Sequence, residues 1–256
     1  MTTRFERYVA IGDSTTEGLD DPDGQGGYIG WADRLARRIA HVQGGLLYAN
    51  LAVRGLTSTQ IREQQLEAAL ALKPDLVTVV VGMNDLIRPR FDHRLVAGEL
   101  ETMMRAFRGA GSTVLSFTLP DLSKSMAIGR LVRERALALN EGFRAAAART
   151  GSVLFDLAVH PLTADRRLWA ADRLHASALG HERIGHALAR TLGVPGDDSY
   201  NDPLPAAAAT TRAEVLRAEA QWARTYLVPW LVRRATGRSS STGVTAKRPT
   251  LTPVAL

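Results

Sequence analysis

The sequence predicts an α/β protein built on a doubly wound parallel sheet. Five short runs rich in β-branched and aliphatic residues recur along its 256 residues, and stretches with helical spacing of apolar residues separate them. Hydrophobic residues make up 45% of the chain and charged residues 23%, a globular balance that argues against a collagen, a coiled coil or a disordered acidic chain. The length suits one large α/β domain.

Five runs are predicted to be strands. The third is apolar almost throughout, as expected of a strand buried on both faces of a parallel sheet. The runs cover residues 8–11, 46–50, 76–81, 113–117 and 153–156.

Five stretches between and after these runs are predicted to be crossover helices, over residues 28–42, 58–72, 92–109, 129–149 and 178–192. Alternating strands and helices form right-handed βαβ units. In such sheets the ligand site lies beyond the carboxyl ends of the strands. A functional motif is therefore expected to follow a strand.

The C-terminal part differs in composition from the rest. Residues 193–210 are predicted to form an irregular connection and residues 211–235 a helix interrupted at Pro229, and the chain from Gly237 onward is predicted to be disordered. Residues 211–256 carry the whole net charge of +6, whereas residues 1–210 are balanced. A nucleic-acid binder acting through this basic tail is the least favoured alternative, because the body has no basic bias; no nucleic-acid partner is expected.

Several classes of chemistry and location are excluded by what the sequence lacks. There is no cysteine, which removes disulfides, thiolate nucleophiles and cysteine-ligated metals. No run of 18 apolar residues indicates a transmembrane helix. The N-terminus has no secretory signal pattern, so the expected compartment is the cytoplasm.

Gly12-Asp13-Ser14 follows the first predicted strand directly. A serine at this edge lies near backbone N–H groups that point outward, which suits a nucleophile and can also hold an oxyanion. The alternative is a simple turn, since Gly, Asp and Ser are common turn residues.

Donor-bearing turns follow the next two strands. Asn50 and Gly55 come after the second strand, and Gly82 and Asn84 after the third. A glycine N–H and an asparagine amide are neutral donors suited to a carbonyl oxygen that becomes negative. Each segment alone is also compatible with a turn.

Asp172 and His175 follow the fifth strand, separated by two residues. This spacing lets the carboxylate hold the Nδ1 proton and leaves Nε2 free to act as a base. The alternatives are a metal pair or a surface salt bridge. A metal is disfavoured, because no further His or Cys cluster supplies ligands at suitable spacing.

Four short blocks, taken together and in this order, resemble the SGNH hydrolases, also called GDSL esterases/lipases: Gly12-Asp13-Ser14, Gly55, Gly82-x-Asn84-Asp85 and Asp172-x-x-His175. The resemblance covers roughly residues 5–192. It implies a three-layer α/β/α sandwich around a five-stranded parallel sheet, similar to flavodoxin. The expected division is a hydrolase domain over 1–195, a linker and a helix packed on the domain over 196–236, and a disordered basic tail over 237–256.

The resemblance also implies roles for individual residues. Ser14 would be the nucleophile, His175 the general base and Asp172 the residue that orients it. The backbone N–H groups of Ser14 and Gly55, with the side-chain amide of Asn84, would form the oxyanion hole. The family needs no metal and no organic cofactor.

Two aspartates also match motif positions of the family, and two other residues differ from the family pattern. Asp13 and Asp85 are expected to give supporting hydrogen bonds. Thr15 stands where the family name has leucine, and Ala176 follows His175 where many members have proline. Neither departure touches the reaction class.

These residues predict hydrolysis of a carboxylic ester, of the small-acyl or lipid type, through an acyl-enzyme. The alternatives are a lysophospholipase, a thioesterase or a carbohydrate deacetylase of the same family, or a non-catalytic ligand-binding module. The helix carrying Trp222, Leu227, Trp230 and Leu231 is expected to pack on the domain. The alternatives are weak contact with an anionic membrane surface and a cover over the active-site entrance.

Overall fold

A computed structural model describes residues 4–124, 127–196, 198–206, 210–229, 232 and 241–255. Within these residues the sheet has six strands in the order β5-β4-β3-β1-β2-β6. They are β1 (Arg7–Gly12), β2 (Leu47–Asn50), β3 (Leu76–Val80), β4 (Thr113–Phe117), β5 (Val153–Phe155) and β6 (Arg248–Pro253). The first five are parallel and follow the flavodoxin-like order, so the predicted α/β sandwich is confirmed. The sixth strand is one more than predicted.

Eight α-helices are present in the described part of the chain: α1 (Ser14–Glu17), α2 (Gly30–Gln43), α3 (Ser58–Ala71), α4 (Met83–Leu86), α5 (His93–Gly109), α6 (Arg133–Thr150), α7 (Ala178–Thr191) and α8 (Arg212–Trp222). The predicted crossover helices correspond to α2, α3, α5, α6 and α7. The four-residue helices α1 and α4 were not predicted, because one turn is too short to show helical periodicity.

The sheet carries a separate apolar core on each face. Val9 and Ile11 belong to a cluster with α3, α5 and α6, whereas Tyr8 and Ala10 belong to a cluster with α2 and α7. The alternation follows from the two-residue period of a strand. Fully burying an aliphatic or aromatic side chain contributes about 1.5–3 kcal/mol, so both helical layers are fixed to the sheet.

The central position of β1 brings three loops together. β1 pairs with β2 on one side and with β3 on the other, and Gly12 lies opposite Val80. The carboxyl ends of these strands therefore meet at one edge of the sheet. The segments that carry Ser14, Gly55 and Asn84 all begin at that edge.

The expectation of a disordered tail over 237–256 is wrong for Arg248–Pro253. This segment pairs antiparallel with β2, with Leu47 opposite Pro253 and Tyr48 opposite Thr252. An edge strand tolerates proline, because an edge residue can turn its N–H side away from the ladder. The two prolines therefore allow this strand, although they weaken its sequence pattern.

Two basic residues of the tail hold this strand in place. Nζ of Lys247 lies 2.6 Å from the Asp33 carboxylate and donates to the carbonyl oxygen of Tyr28 at 2.9 Å. The Arg248 guanidinium lies over the Tyr48 ring, 5.1 Å from its centroid. Part of the tail's positive charge therefore stabilises the fold.

The predicted C-terminal helix begins at Arg212, where Thr211 and Glu214 form a capping box. After Trp222 it continues as a π-helical turn, Ala223–Leu227, shortly before Pro229. Proline disrupts a regular helix because it lacks the N–H group and its ring clashes with the preceding turn. Trp230, Leu231, Arg233, Arg234 and Arg238 lie outside the described residues. Among the described helices, none is long and apolar enough to cross a membrane.

Candidate active site

Ser14 is the first residue of α1 and lies directly beyond the carboxyl end of β1. Asp13 caps this short helix, because its side chain accepts a hydrogen bond from the N–H of Thr15 at 3.0 Å. The turn requires glycine at position 12, since a Cβ there would lie 2.7 Å from the carbonyl oxygen of Val80. The strand can therefore approach its neighbour closely and still deliver the serine to the edge.

The buried amide of Gln65, on α3, holds the residue at which β1 ends. Its Oε1 accepts from the N–H of Gly12 at 2.8 Å, and its Nε2 donates to the carbonyl oxygen of the same residue at 2.9 Å. These two bonds fix the peptide groups that lead into Ser14. Sequence analysis missed Gln65, because a polar residue within a helix resembles any solvated position.

Ser14, His175 and Asp172 form one hydrogen-bonded chain. Oγ of Ser14 lies 2.8 Å from Nε2 of His175, and Nδ1 of His175 lies 2.6 Å from Oδ2 of Asp172. The other oxygen of Asp172 accepts from the backbone N–H groups of Leu174 at 2.9 Å and His175 at 3.1 Å. The tight turn thus fixes the carboxylate against the imidazole.

Asp20 supplies a second carboxylate beside this imidazole. One of its oxygens lies 3.4 Å from Nδ1 of His175. Burial alone would lower the pKa of His175, but hydrogen bonds to Asp172 and Asp20 and the charges of both carboxylates raise it to about 9. Burial likewise opposes ionisation of Asp172, yet the contact with His175 holds the pKa of Asp172 below its usual value. No sequence motif placed Asp20 beside the His175 ring.

Asn84 is joined to α1 through Asp13. Its side-chain Nδ2 donates to Oδ2 of Asp13 and to the carbonyl oxygen of Leu56, both at 3.0 Å. Asp13 is buried, and desolvation raises its pKa to about 6, with the nearby Asp85 adding to the effect. The amide therefore lies next to the start of α1, with its two hydrogens directed to these two acceptors.

Asp85 ties the loop after β3 to the start of α3. Its carboxylate accepts from the backbone N–H of Ser58 at 2.9 Å and from the Ser58 hydroxyl at 3.0 Å. Burial raises the pKa of Asp85. The structure thus places Asp85 in hydrogen bonds with the first residue of α3.

Gly55 lies in the turn after β2, with a φ of +81° that favours glycine. The preceding residue, Arg54, donates its backbone N–H to Glu17 at 2.9 Å, and its guanidinium pairs with the same carboxylate. Glu17 is buried on α1. This ion pair, which sequence analysis did not anticipate, brings the Gly55 turn to α1.

An apolar cavity lies beside the two segments that carry Ser14 and His175, although neither of these residues lines it. Thr15 and Ala176, which follow the serine and the histidine in sequence, both line it. The cavity continues over the carboxyl ends of β3, β4 and β5 towards α7, between apolar side chains that include Val81, Phe117, Leu119, Leu157, Leu168 and Ile184. The cavity has a volume of about 70 Å³ and opens to solvent at its mouth. An apolar lining of this kind can hold an aliphatic group.

The model of the GDSL-like lipase/acylhydrolase family matches residues 10–183. The chain belongs to this family. No curated protein matches the chain in sequence.

Solved structures of several hydrolases share the fold. An α/β hydrolase enzyme, LAE5, from the metagenome of Lake Arreo in Spain is 20% identical with a TM-score of 0.64, and covers 75% of this chain and 97% of its own. Axe2, an acetylxylan esterase from Geobacillus stearothermophilus, is 18% identical with a TM-score of 0.63, covering 73% and 94%. A lipase/acylhydrolase from Enterococcus faecalis is 26% identical with a TM-score of 0.59, covering 72% and 94%.

One group in the described part of this GDSL-like chain could offer three ligand atoms to a metal ion: Asp20, Asp172 and His175. The same atoms make the contacts around Nδ1 of His175. A cation there would compete with the carboxylate–imidazole hydrogen bond. The expectation that no metal takes part stays a prediction.

A second histidine of the GDSL-like domain, His181, has a structural position. Its Nδ1 accepts from the N–H of Trp31 at 3.2 Å, and its Nε2 contacts the carbonyl oxygen of Leu19 at 3.0 Å. Burial lowers the pKa of His181 to about 4, so the ring is neutral at physiological pH. It ties α7 to α2 and to the segment after α1.

Proposed function

We propose that the protein is a serine esterase that cleaves carboxylic esters of aliphatic acids through an acyl-enzyme on Ser14. The observation that carries this proposal is the hydrogen-bonded chain from Ser14 through His175 to Asp172. A serine hydroxyl is a weak nucleophile unless an adjacent base accepts its proton. Membership of the GDSL-like lipase/acylhydrolase family supports the same chemistry.

Acylation begins with His175 neutral and its Nδ1–H directed to Asp172. As Oγ of Ser14 bonds to the ester carbonyl carbon, Nε2 takes the hydroxyl proton and the carbonyl oxygen becomes negative. The tetrahedral intermediate then collapses, the C–O bond to the alcohol breaks, and the alcohol leaves with the proton from Nε2. Water repeats these steps on the acyl-enzyme and releases the carboxylic acid.

The negative oxygen would be held by the N–H groups of Ser14 and Gly55 and by the amide of Asn84. The backbone N–H of Ser14 stands at the first position of α1, where an N–H group has no acceptor within the helix. The amide hydrogens of Asn84 face Asp13 and the Leu56 carbonyl oxygen. A bound oxyanion would therefore share one of them, and the bond to Asp13 keeps the amide at this position.

The acyl group is assigned to the apolar cavity next to Thr15. A leucine, the residue in the family name, would fill part of the space that threonine leaves. Burial of each methylene of an aliphatic chain makes the free energy of binding more favourable by about 0.8 kcal/mol. The cavity therefore favours esters with an extended acyl chain over acetyl esters of carbohydrates.

Intact mass after incubation with a fluorophosphonate tests the reaction class. We expect one adduct on the wild type and none on Ser14→Ala, because only an activated serine attacks the phosphorus. Hydrolysis of a p-nitrophenyl ester should fall to background in the same variant.

The matched control is Ser152→Ala, which removes a hydroxyl at the amino end of β5, the sheet edge opposite the site. This variant should react with the fluorophosphonate at the wild-type rate. A thermal unfolding transition should be measured for each variant to establish that it is folded. An unlabelled, folded wild type would support a ligand-binding module instead.

A further inference from the structure

The turn that carries Asp172 and His175 packs against α8. Nε1 of Trp222 donates to the backbone carbonyl oxygen of Asp172 at 3.0 Å. The Arg173 guanidinium lies over the Trp222 ring, with Cζ 4.6 Å from its centroid, and Nη1 lies 2.6 Å from the carboxylate of Glu219. Two residues of one helix therefore contact two consecutive residues of the turn.

The spacing on α8 explains why both contacts occur together. Residues three apart lie on the same side of a helix, so Glu219 and Trp222 face the turn as a pair. The capping box of Thr211 and Glu214 defines where α8 begins. The helix can thus present the two side chains at a fixed distance from its start.

Arg173 needs these two partners. Its φ of +66° is in the left-handed region, which is unfavourable for a residue with a Cβ. Its side chain is only 9% exposed, and a buried guanidinium is stable only when it is paired. Glu219 supplies the charge partner and Trp222 supplies a ring face, so α8 stabilises this backbone conformation.

The same turn aligns the carboxylate of Asp172. The carbonyl oxygen of this residue is held by Trp222, while its side chain lies 2.6 Å from Nδ1 of His175. A displacement of about 1 Å in a catalytic group can lower turnover by about 100-fold. Support for the backbone of Asp172 is therefore support for the base.

We propose that α8 is a positioning element of the active site, in which Glu219 and Trp222 hold the Arg173 turn and keep Asp172 aligned with His175. The helix lies beyond residues 10–183, which the family model matches. The proposal rests on the proposed function, because it assigns α8 to the base that Ser14 would use.

Ester kinetics of five variants test the proposal. Glu219→Ala and Trp222→Ala remove the contacts, whereas Glu219→Gln keeps an acceptor and Trp222→Phe keeps a ring. We expect the alanine variants to lower kcat by about 10-fold to 100-fold with little change in KM, and the conservative variants to lie in between. Leu216→Ala is the matched control, since this α8 side chain is 70% exposed.

A pH titration separates positioning from simple stability. The charged and titratable groups around His175 are Asp172 on its own turn, Asp20 after α1, Asp13 at the start of α1 and His181 on α7. A loosened Asp172 would lower the pKa of His175, and the other groups stay in place. The acid limb of kcat should move to lower pH in the alanine variants but not in Leu216→Ala.

The imidazole pKa can also be followed by NMR without any substrate, with His175→Asn for assignment. Wild-type kcat and an unchanged pKa of His175 in both alanine variants would overturn the proposal. If those variants unfold, Glu219→Gln and Trp222→Phe decide it by the same criteria. A shifted pKa in a protein whose Ser14 does not label would support the role of α8 and contradict the esterase proposal.

Discussion

At the scale of single residues, the environment of His175 combines two carboxylates on one ring nitrogen. Asp172 is held by the backbone of its own turn, whereas Asp20 arrives from the segment after α1. The neighbouring Asp21 anchors that segment, because its buried carboxylate binds the Arg34 guanidinium through two contacts of 3.0 Å. Asp20 is therefore held near the ring, although its own side chain is 46% exposed.

This arrangement predicts an alkaline enzyme. With a pKa of about 9, His175 is protonated at neutral pH and cannot accept the proton of Ser14. We expect kcat/KM for a p-nitrophenyl ester to rise with pH to a midpoint near 9. Asp20→Asn removes one negative charge, lowers the pKa of His175 and moves this rise to lower pH. Asparagine tolerates the left-handed backbone of Asp20, so the loop should be retained.

The control for this prediction is Glu67→Gln, which removes the same charge from the exposed face of α3. It should leave the profile unchanged. A profile of Asp20→Asn that superimposes on that of the wild type would show that only Asp172 acts on the ring.

The motif residues could be predicted from sequence because each follows a strand of the sheet. Gly12 carries a local signal through its backbone conformation, and Asp172 carries one because its side chain accepts the N–H groups of its own turn. Gln65, Glu17 and Asp20 act through distant contacts, and nothing in their sequence neighbours distinguishes them from solvated residues. Their contacts with the site could be identified only from the structure, in which the helices are packed on the sheet.

At the scale of elements, β6 shows where a pattern of residues misleads. The strand is polar on its exposed face and contains two prolines, a composition shared with disordered tails. The segment is nevertheless a strand, because it pairs with β2 and Lys247 contacts Asp33. By contrast, α3 was placed within one residue, because the capping box of Thr57 and Gln60 marks its start locally.

Removal of residues 245–256 should destabilise the protein. The deletion uncovers β2 and leaves the largely buried Asp33 without Lys247, and an unpaired buried charge costs roughly 3 kcal/mol. For a chain of this size we expect Tm to fall by roughly 5 °C or more, as measured by calorimetry. Thr250→Ala, an exposed change within β6, should keep the wild-type Tm. An unchanged Tm in the deletion would mean that β6 does not pair in solution.

At the scale of the whole molecule, the cavity is formed by parts that are distant in sequence. Three strand ends, the turn after Ser14 and helix α7 each contribute to its walls. The sequence predicted the reaction class from local blocks, but the shape of a cavity depends on how all layers pack. The sequence left small-acyl and lipid-type esters open, and the proposal of an extended acyl chain rests on the cavity seen in the structure.

A series of p-nitrophenyl esters from acetate to dodecanoate tests the acyl assignment. In the wild type kcat/KM should increase by up to roughly fourfold for each of the first added methylenes, as expected from the burial of about 0.8 kcal/mol per methylene. Thr15→Leu fills the end of the cavity beside Ser14, so it should lower the rate for long chains far more than for acetate.

Thr15→Ser keeps the space and should retain the wild-type series. If the wild type prefers acetate, or if Thr15→Leu slows all esters equally, the cavity does not receive the acyl chain. A preference for acetate would direct attention to acetylated carbohydrates.

The antiparallel pairing of β6 with β2 has a consequence for biosynthesis. β2 is made early, yet its outer edge stays open until the chain has been translated about two hundred residues further. An open edge is a template for pairing with other chains. During translation the nascent domain is therefore exposed to misassembly until residues 248–253 leave the ribosome, and codon choice or chaperone binding in this interval should govern the yield of correctly folded protein.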